Sequence, residues 1–527
     1  MTLPHRAHAQ MAAGRHAEAV LTLSDHLSQH PGDAVAWDAA AESLLQLGQH
    51  DGAREAAERA WQLSGEIDAA CLFAVALGSA GRGAEALAIV QAAIGERPHT
   101  PRAWERIARA LDSVGLTAAA LEARAEAHQL APDDLGVALR LAERLERADR
   151  RDEARALAAT LLQAHPEQPQ LERLLVRLDH HDGRLDEAAA RAERLLASDT
   201  LPRPIAQGLW MELARIEARR GHPRSAAAAA HTGNTLALSA WRLDPTHDPD
   251  ALPRRLDALL AADLGPVPPA PPLRPGMAFV VGFPRSGTTL VQQILEAHPA
   301  TATFDEAPLL DRAVDAVFGP GADWVEVARR VGDPATAAAL RQAWWDQVHQ
   351  RIDPAGRLVI DKLPLNLLRI DLILRAFPGA PIVVVQRDPR DAVLSAWMQD
   401  FELNQAMAQC ADLGRCARLY ARAFDLWLRV RDAAPSACAL RYEDLVADPE
   451  RALRPVIEAL GLTWDDAVLA HATSARAATI RTPSYRDVRQ PVYARSVNRW
   501  AAFAEALAPV LPTLAPYAAA FGYPPAP

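Results

Sequence analysis

The sequence is poor in cysteine, carries no excess of basic charge and contains no long apolar run. Its four cysteines are too scattered for a disulfide framework, and Cys410 with Cys416 lacks the second pair that a zinc site would need. The 56 basic and 66 acidic residues give a net charge of −10, which argues against a nucleic-acid partner. No stretch reaches the roughly eighteen apolar residues of a membrane span, and the N-terminus shows no apolar signal-peptide core. These absences predict a soluble, cytoplasmic protein with no membrane span.

The first half of the chain repeats itself. Six equivalent turn positions follow one another at intervals of 34, 33, 34, 34 and 34 residues: Gly14, Gly48, Gly81, Gly115, Asp149 and Gly183. An alanine-rich helix start follows these turns, as in Ala17-Glu18-Ala19. This period with helix–turn–helix content predicts an α-helical tetratricopeptide-repeat (TPR) solenoid over residues 1–245, in which Gly221 marks a last, drifting repeat.

A linker separates this array from a second domain. Residues 251–262 have a helical pattern and residues 266–275 are rich in proline, so we place the linker at residues 246–276. The remainder, residues 277–527, is predicted to be an α/β domain with a parallel sheet, because short β-branched runs lead into loops and amphipathic helices.

Residues 282–289, Gly-Phe-Pro-Arg-Ser-Gly-Thr-Thr, have the glycine spacing of a phosphate-binding loop without its lysine. The loop follows an apolar run and opens a helix, so it presents backbone N–H groups and a helix N-terminus to an anion. In nucleotide triphosphatases, a lysine at the position of Thr288 reaches the β and γ phosphates. A phosphosulfate, which needs no magnesium bridge, therefore suits this loop better than a triphosphate.

A second candidate anion site follows the β-branched run at residues 381–386. Arg387 is predicted at the carboxyl end of this strand, where open α/β sheets bind ligands, and Ser395 about two helical turns into the next element. These two side chains can hold a second phosphate through charge-assisted hydrogen bonds. The alternative for residues 387–391 is a solvated Arg/Asp loop that forms its own ion pairs.

With these motifs in place, residues 277–505 resemble a known family. Residues 284–289, Arg387 and Ser395 are similar to the nucleotide-binding residues of sulfotransferases, which use 3′-phosphoadenosine-5′-phosphosulfate (PAPS). Segments 361–364, 442–445 and 484–500 narrow the resemblance to bacterial TPR sulfotransferases and to tyrosylprotein sulfotransferases. The resemblance implies that one set of residues binds the 5′ phosphosulfate and another the 3′ phosphate: Arg285, Ser286, Gly287, Thr288 and Thr289 for the first, and Arg387 and Ser395 for the second.

The same resemblance implies catalytic roles. Glu306 is similar to the family's glutamate base and Lys362 to the lysine that faces the leaving oxygen, while Asp305 is a weaker candidate for the base. No metal is implied. For Glu306 and Lys362 the alternative is an ordinary surface charge.

Three further residues around the nucleotide are implied in the same way. Tyr442 resembles the tyrosine beside the nucleotide, with a strand-end anchor as its alternative. Ser484 and Arg489 resemble the C-terminal segment that closes over the nucleotide, although Gln490 stands where tyrosylprotein enzymes have a lysine.

The sequence therefore predicts a PAPS-dependent sulfotransferase acting on a hydroxyl acceptor. A P-loop small-molecule kinase and a non-catalytic TPR scaffold with a degenerate transferase domain are the competing functions. Peptidyl tyrosine is suggested as the acceptor, and carbohydrate, lipid and small phenolic hydroxyls stay open. The repeats are expected to present an acceptor polypeptide or to mediate assembly, for which a homodimer is one arrangement.

Overall fold

The computed structural model describes residues 3–267, 276–470 and 497–526. The chain divides into two compact units, Met1–Leu178 and Asp179–Pro527. The second unit thus begins before the repeat period ends, since that period continues through Gly183. The segment bounds predicted from repeats and motifs, 1–245, 246–276 and 277–527, stay a prediction about where the repeats stop.

The first unit consists of helices joined by short turns. Helices α1 to α11 are, in chain order, Leu3–Ala12, His16–Gln29, Ala34–Gln46, His50–Ser64, Ile67–Ser79, Gly83–Gly95, Pro101–Ser113, Thr117–Leu130, Leu135–Arg147, Arg151–Ala164 and Pro169–His181. Helix α11 runs past the end of this unit along the chain.

Each predicted repeat turn has a left-handed backbone. The five glycines have φ between 69° and 88°, and Asp149 takes φ 65° despite its side chain, as aspartate tolerates better than most residues. Five residues after each turn an alanine is at most 1% exposed, so that neighbouring helices meet at a methyl group; these are Ala19, Ala53, Ala86, Ala120, Ala154 and Ala188. The predicted helical repeat array is confirmed.

The second unit begins with four helices, α12 to α15, which are Leu185–Leu196, Arg203–Arg220, Pro223–Trp241 and Ala251–Ala261. Helices α13 and α14 approach closely at Gly233, where a Cβ would lie 2.8 Å from the sulfur of Met211. Gly221 forms the turn between them with φ 81°, as the last predicted repeat requires.

A five-stranded sheet follows, with strand order β2-β3-β1-β4-β5 and every pair parallel. Strands β1 to β5 are Met277–Gly282, Thr301–Asp305, Leu358–Lys362, Ile382–Gln386 and Ala437–Arg441. Helices α16 to α27 are Thr288–Glu296, Leu309–Phe318, Trp324–Arg330, Pro334–His349, Ile370–Ala376, Pro389–Trp397, Met407–Cys410, Leu413–Val430, Tyr442–Ala447, Pro449–Ala459, Ala504–Leu507 and Leu511–Ala520. The predicted parallel α/β domain is confirmed.

Both faces of the sheet are covered, which is why β1, β3 and β4 are buried along their whole length. On one face, Val280 and Val385 belong to the same core as Val291 and Ile294 of α16. On the other face, the ring of Phe279 packs against Trp344 and Phe377. Among the described helices, none combines the length and the apolar character needed to cross a bilayer.

Helices α13 and α14 also contact the sheet domain. Asn234 of α14 donates its side-chain N–H to the carbonyl of Trp397, the last residue of α21, at 2.8 Å. Gln207 of α13 donates to Asp400 at 2.8 Å. The first bond satisfies a carbonyl at the α21 C-terminus, and the second holds the segment that follows, so the two helices support the element that carries Ser395.

Candidate active site

The carboxyl ends of all five parallel strands meet at one edge of the sheet. The strands end at Gly282, Asp305, Lys362, Gln386 and Arg441. Every described residue proposed for binding or catalysis lies in the loop after one of these strands, at its last position, or in the helix that follows. This edge is where ligands bind in open α/β sheets.

The phosphate-binding loop occupies residues 283–287, between β1 and α16. Arg285 and Gly287 have left-handed backbones, with φ 68° and 97°. Ser286 is fully buried, and its hydroxyl has no hydrogen-bond partner within the described ranges. Thr288 and Thr289 are also buried and form the first turn of α16, whose N–H groups have no intrahelical acceptors. The loop therefore offers a buried hydroxyl and backbone donors to an anion.

Two glycines in this region allow close approach of other groups. A Cβ at Gly282 would lie 2.7 Å from the carbonyl oxygen of Val385, so no side chain fits between β1 and β4 there. A Cβ at Gly287 would lie 2.5 Å from the ring of Tyr442. Tyr442, at the start of α24, thus packs directly on the phosphate-binding loop.

Arg387 joins the loop from the neighbouring strand. It follows β4, is 7% exposed, and donates from Nη1 to the carbonyl of Arg285 at 2.8 Å. Its guanidinium lies 5.0 Å from the centre of the Tyr442 ring. Arg285 in turn donates to the hydroxyl of Ser395 on α21 at 3.4 Å. The structure thus brings together Arg285, Arg387, Ser395 and Tyr442, which the sequence places far apart.

The segment after Arg387 is buried, so the solvation considered from the sequence is wrong, but the segment does form an ion pair of its own as that alternative expected. Asp388 accepts from the backbone N–H of Arg390 and forms an ion pair with its guanidinium at 2.6 Å, with both side chains buried. Glu443 accepts the N–H of Asp388 at 3.0 Å and the hydroxyl of Tyr523 at 2.7 Å. This network fixes the backbone that carries Arg387.

Lys362 lies between two carboxylates. Its ammonium donates to Asp305 Oδ1 at 2.7 Å and to Glu306 Oε1 at 3.0 Å, and its side chain is fully buried. The alternative of a surface lysine is therefore wrong. Lys362 is also the only lysine in the sequence, so arginine supplies every other basic side chain.

The backbone brings Glu306 back toward Lys362. Asp305 pairs with Lys362 in the β2–β3 register, and the N–H of Glu306 donates to the Lys362 carbonyl at 3.0 Å. Glu306 then turns with φ 54°, a left-handed conformation that costs a residue with a side chain on the order of 1 kcal/mol. Such strain is common at functional sites.

A buried carboxyl lies on the opposite face of the sheet from Lys362. Asp361 accepts from the Trp344 indole at 3.0 Å and from Asn366 at 3.3 Å. Burial raises the pKa of Asp361 to about 7, and the charge of Asp311 adds to the increase.

The sequence did not identify three of these groups: Asp305 as a partner of Lys362, the buried Asp361, and Glu443. Each lies beside a residue singled out by motif, and adjacency to a motif was the available signal.

Ser484 and Arg489, with Gln490, lie outside the described residues. His298 bonds the carbonyl of Thr463 at 2.9 Å and the N–H of Ala300, which is a structural role.

The chain resembles known proteins in sequence. Residues 277–466 match the model of the Sulfotransferase family. A protein-tyrosine sulfotransferase 1 of Danio rerio is 27% identical over 204 residues, covering 37% of this chain and 56% of that protein. An uncharacterized protein of Aquifex aeolicus is 29% identical over 247 residues, covering 45% of this chain and 32% of that protein.

The solved structure of a tetratricopeptide repeat protein from Parabacteroides merdae covers 44% of this chain, with 91% of its own length, 14% identity and a TM-score of 0.34. The chain spans 32% of the length of the Aquifex aeolicus protein and 56% of the length of the Danio rerio protein. Residues 277–466 thus match the sulfotransferase family, and the chain joins this segment to a helical repeat array.

Proposed function

We propose that this protein is a sulfotransferase that moves a sulfuryl group from PAPS to a hydroxyl acceptor. One observation carries the proposal: a phosphate loop without lysine shares a sheet edge with Arg387 and with the Lys362–Glu306 ion pair. A kinase loop would have a lysine at position 288, where this chain has a buried threonine.

The residues present fit a nucleotide that carries anionic groups at both ends. The unpartnered hydroxyl of Ser286 and the N–H groups of α16 suit a 5′ phosphosulfate. Arg387, held by the Arg285 carbonyl, and Ser395, already bonded to Arg285, suit a 3′ phosphate. Tyr442 fills the space against Gly287 and Arg387 and limits how the nucleotide can lie.

PAPS supplies an activated sulfuryl group whose leaving oxygen belongs to a phosphate. Glu306, 37% exposed in its side chain, is placed to accept the proton of an acceptor hydroxyl. As that proton moves, the acceptor oxygen bonds to sulfur, and the electron pair of the broken S–O bond stays on the departing phosphate oxygen. Lys362, fixed by two carboxylates, can stabilise the charge that develops there with its remaining N–H.

The acceptor is part of the proposal. Because relatives include protein-tyrosine sulfotransferases, we propose peptidyl tyrosine first, with the helical repeats presenting the polypeptide. Carbohydrate, lipid and phenolic hydroxyls are the other acceptors to be tested. A cytoplasmic location and a homodimer stay predictions of the same kind.

Two measurements test the function. Calorimetry should show binding of adenosine 3′,5′-bisphosphate without magnesium, and weak or no binding of Mg·ATP. Incubation with sulfur-labelled PAPS and source-cell lysate should then label a protein, glycan or small-molecule fraction. Tight Mg·ATP binding with indifference to the bisphosphate would favour the kinase, and donor binding without any labelled product would favour the scaffold.

A further inference from the structure

Lys362 has two carboxylate partners, yet a sulfotransferase needs a free base next to it. The ammonium lies 2.7 Å from Asp305 and 3.0 Å from Glu306, so Asp305 is the closer partner. The side chain of Asp305 is 22% exposed and that of Glu306 37% exposed. The two carboxylates therefore differ in position: Asp305 is closer to the ammonium and more buried, and Glu306 is more exposed to solvent.

The backbone fixes this difference. Asp305 is the last residue of β2 and pairs in register with Lys362, so its side chain leaves the sheet on the same face as the lysine. Glu306 lies beyond the strand in a left-handed conformation. Asp305 is thus held by the regular hydrogen-bond ladder of the sheet, whereas Glu306 stands at the start of a loop.

Charge explains why two carboxylates are useful. One ammonium between two carboxylates gives the triad a net charge of −1. If Glu306 were the only partner, the whole positive charge of the buried lysine would hold it in the ionised form and weaken it as a base. A proton arriving on Glu306 would then leave a fully buried ammonium without a carboxylate, which is costly.

Resting on the proposed function, we propose that Asp305 is a positioning residue that keeps Lys362 charged and in place, so that Glu306 can accept the acceptor's proton. Glu306 takes the proton, and the triad passes from a net charge of −1 to zero while Lys362 keeps Asp305 as its partner. Other charged groups nearby are Glu296 of α16, which interacts with Asp305, and Asp311 of α17, which is paired with Arg369.

The pH dependence of kcat/KM separates this role from a merely structural one. In Asp305→Asn the triad loses one negative charge, so Glu306 gives up its proton more readily and Lys362 gives up its proton more readily as well. Both limbs of the profile should move to lower pH by about one unit. Because a more acidic Glu306 is a weaker base, the plateau between the limbs should also fall, by at most about tenfold. Asp305→Glu, which keeps the charge, should restore the position of both limbs.

Glu306→Gln and Glu296→Gln are the comparison variants. Glu306→Gln should lose most activity at every pH, and Glu296→Gln, whose carboxylate does not bond Lys362, should move the profile less than Asp305→Asn does. If Asp305→Asn loses activity at every pH as Glu306→Gln does, Asp305 is the base and the proposal is wrong. An unshifted profile in Asp305→Asn overturns it equally.

A second measurement needs no turnover. Because Lys362 is the only lysine, selective ¹⁵N-lysine labelling of the full chain gives one side-chain ammonium signal. Asp305→Asn should shift this signal or broaden it through faster exchange with water, and Asp305→Glu should largely restore it. A signal unchanged in Asp305→Asn overturns the positioning role.

The same signal distinguishes the two levels of inference. Adenosine 3′,5′-bisphosphate should shift it in the native protein if the proposed donor site is correct. No shift with the nucleotide, together with a clear change in Asp305→Asn, would contradict the proposed function while the Asp305–Lys362 contact held. Folding of each variant is checked from its thermal unfolding, and Asp305→Ser gives a second neutral replacement if Asp305→Asn does not fold.

Discussion

The ring of Tyr442 lies so close to Gly287 that a Cβ on the glycine would come within 2.5 Å of the ring. The glycine also has φ 97°, which residues with a side chain rarely adopt. The close packing of the phosphate-binding loop against the start of α24 therefore requires glycine at position 287.

Gly287→Ala should destabilise the protein and weaken nucleotide binding, because either the loop or Tyr442 must move. The left-handed backbone alone costs about 1 to 2 kcal/mol, and the contact with the ring adds to it. Gly221→Ala is the matched control, since Gly221 also has a left-handed backbone, with φ 81° and ψ 24°, but open space around its Cβ position. Denaturant unfolding and calorimetry with the bisphosphate should show a larger loss at Gly287; equal losses would mean that the ring contact is unimportant.

Arg387→Ala should weaken binding of adenosine 3′,5′-bisphosphate by about 1.5 to 3 kcal/mol, the range for a hydrogen bond to a charged group. In dissociation constants this is roughly a 10- to 150-fold increase. The residue also bonds the Arg285 carbonyl, so part of the loss comes from the loop. Arg431→Ala, at a half-exposed arginine that precedes β5 and therefore lies near its amino end, provides the calorimetric control. An unchanged affinity in Arg387→Ala would remove Arg387 from the site.

Glu306→Gln should leave bisphosphate affinity within about twofold and reduce turnover by on the order of 10²- to 10⁴-fold, the usual contribution of a general base. The reason is that Glu306 acts on the acceptor and not on the donor. Turnover of labelled PAPS and calorimetry on the same preparation give both values. Full activity in Glu306→Gln would show that another group is the base.

Asp361→Asn should flatten the pH dependence of stability. Burial raises the pKa of Asp361 to about 7 from an ordinary value of about 4, so the folded state binds this proton more tightly than the unfolded chain. The resulting stabilisation is complete below about pH 4 and is lost as the pH rises to about 7. Urea unfolding between about pH 5 and pH 8 should show a smaller decline in Asp361→Asn than in the native protein. Asp432→Asn, at a highly exposed carboxyl, should keep the native decline, and the same slope in both variants would contradict the assignment.

A fragment of residues 179–527 should fold and bind the bisphosphate, whereas residues 277–527 should do so poorly. The shorter fragment loses α13 and α14, whose Gln207 and Asn234 bond the end of α21 and the segment after it. Asn234→Ala in the full chain should cost about 1 to 3 kcal/mol because it leaves a buried carbonyl unpaired, while His231→Ala on the exposed side of α14 should cost little. Equal thermal stability of the two fragments would show that α13 and α14 are dispensable.

Much of the fold could be predicted because its signals are local. The 34-residue period marked the repeat turns, and the apolar runs before residues 282 and 387 marked strands β1 and β4. Strand β2 was missed, since only Ala302 and Phe304 among its five residues are apolar.

Prediction of the site had the same limit, because local motifs could be recognised but contacts between distant segments could not. Motifs predicted which side chains gather at the sheet edge, but pairing between them depends on strand order, which the sequence does not show. The β2–β3 register alone places Asp305 beside Lys362, and the β1–β4 register brings Arg387 to the Arg285 carbonyl. Side-chain burial at Lys362 and Asp361 likewise follows from layers on both faces of the sheet.

The first strand in the sequence is the central strand of the sheet, and the last one, β5, is at its edge. During synthesis, β1 must therefore wait for β3 and β4, which lie far along the chain, before it has neighbours on both sides. Tyr442 emerges last of the described site residues, so a ribosome-bound chain that ends before it has no complete nucleotide pocket. Under the proposed function, turnover can begin only after Tyr442 has left the ribosome, which ties the onset of activity to the completion of the sheet.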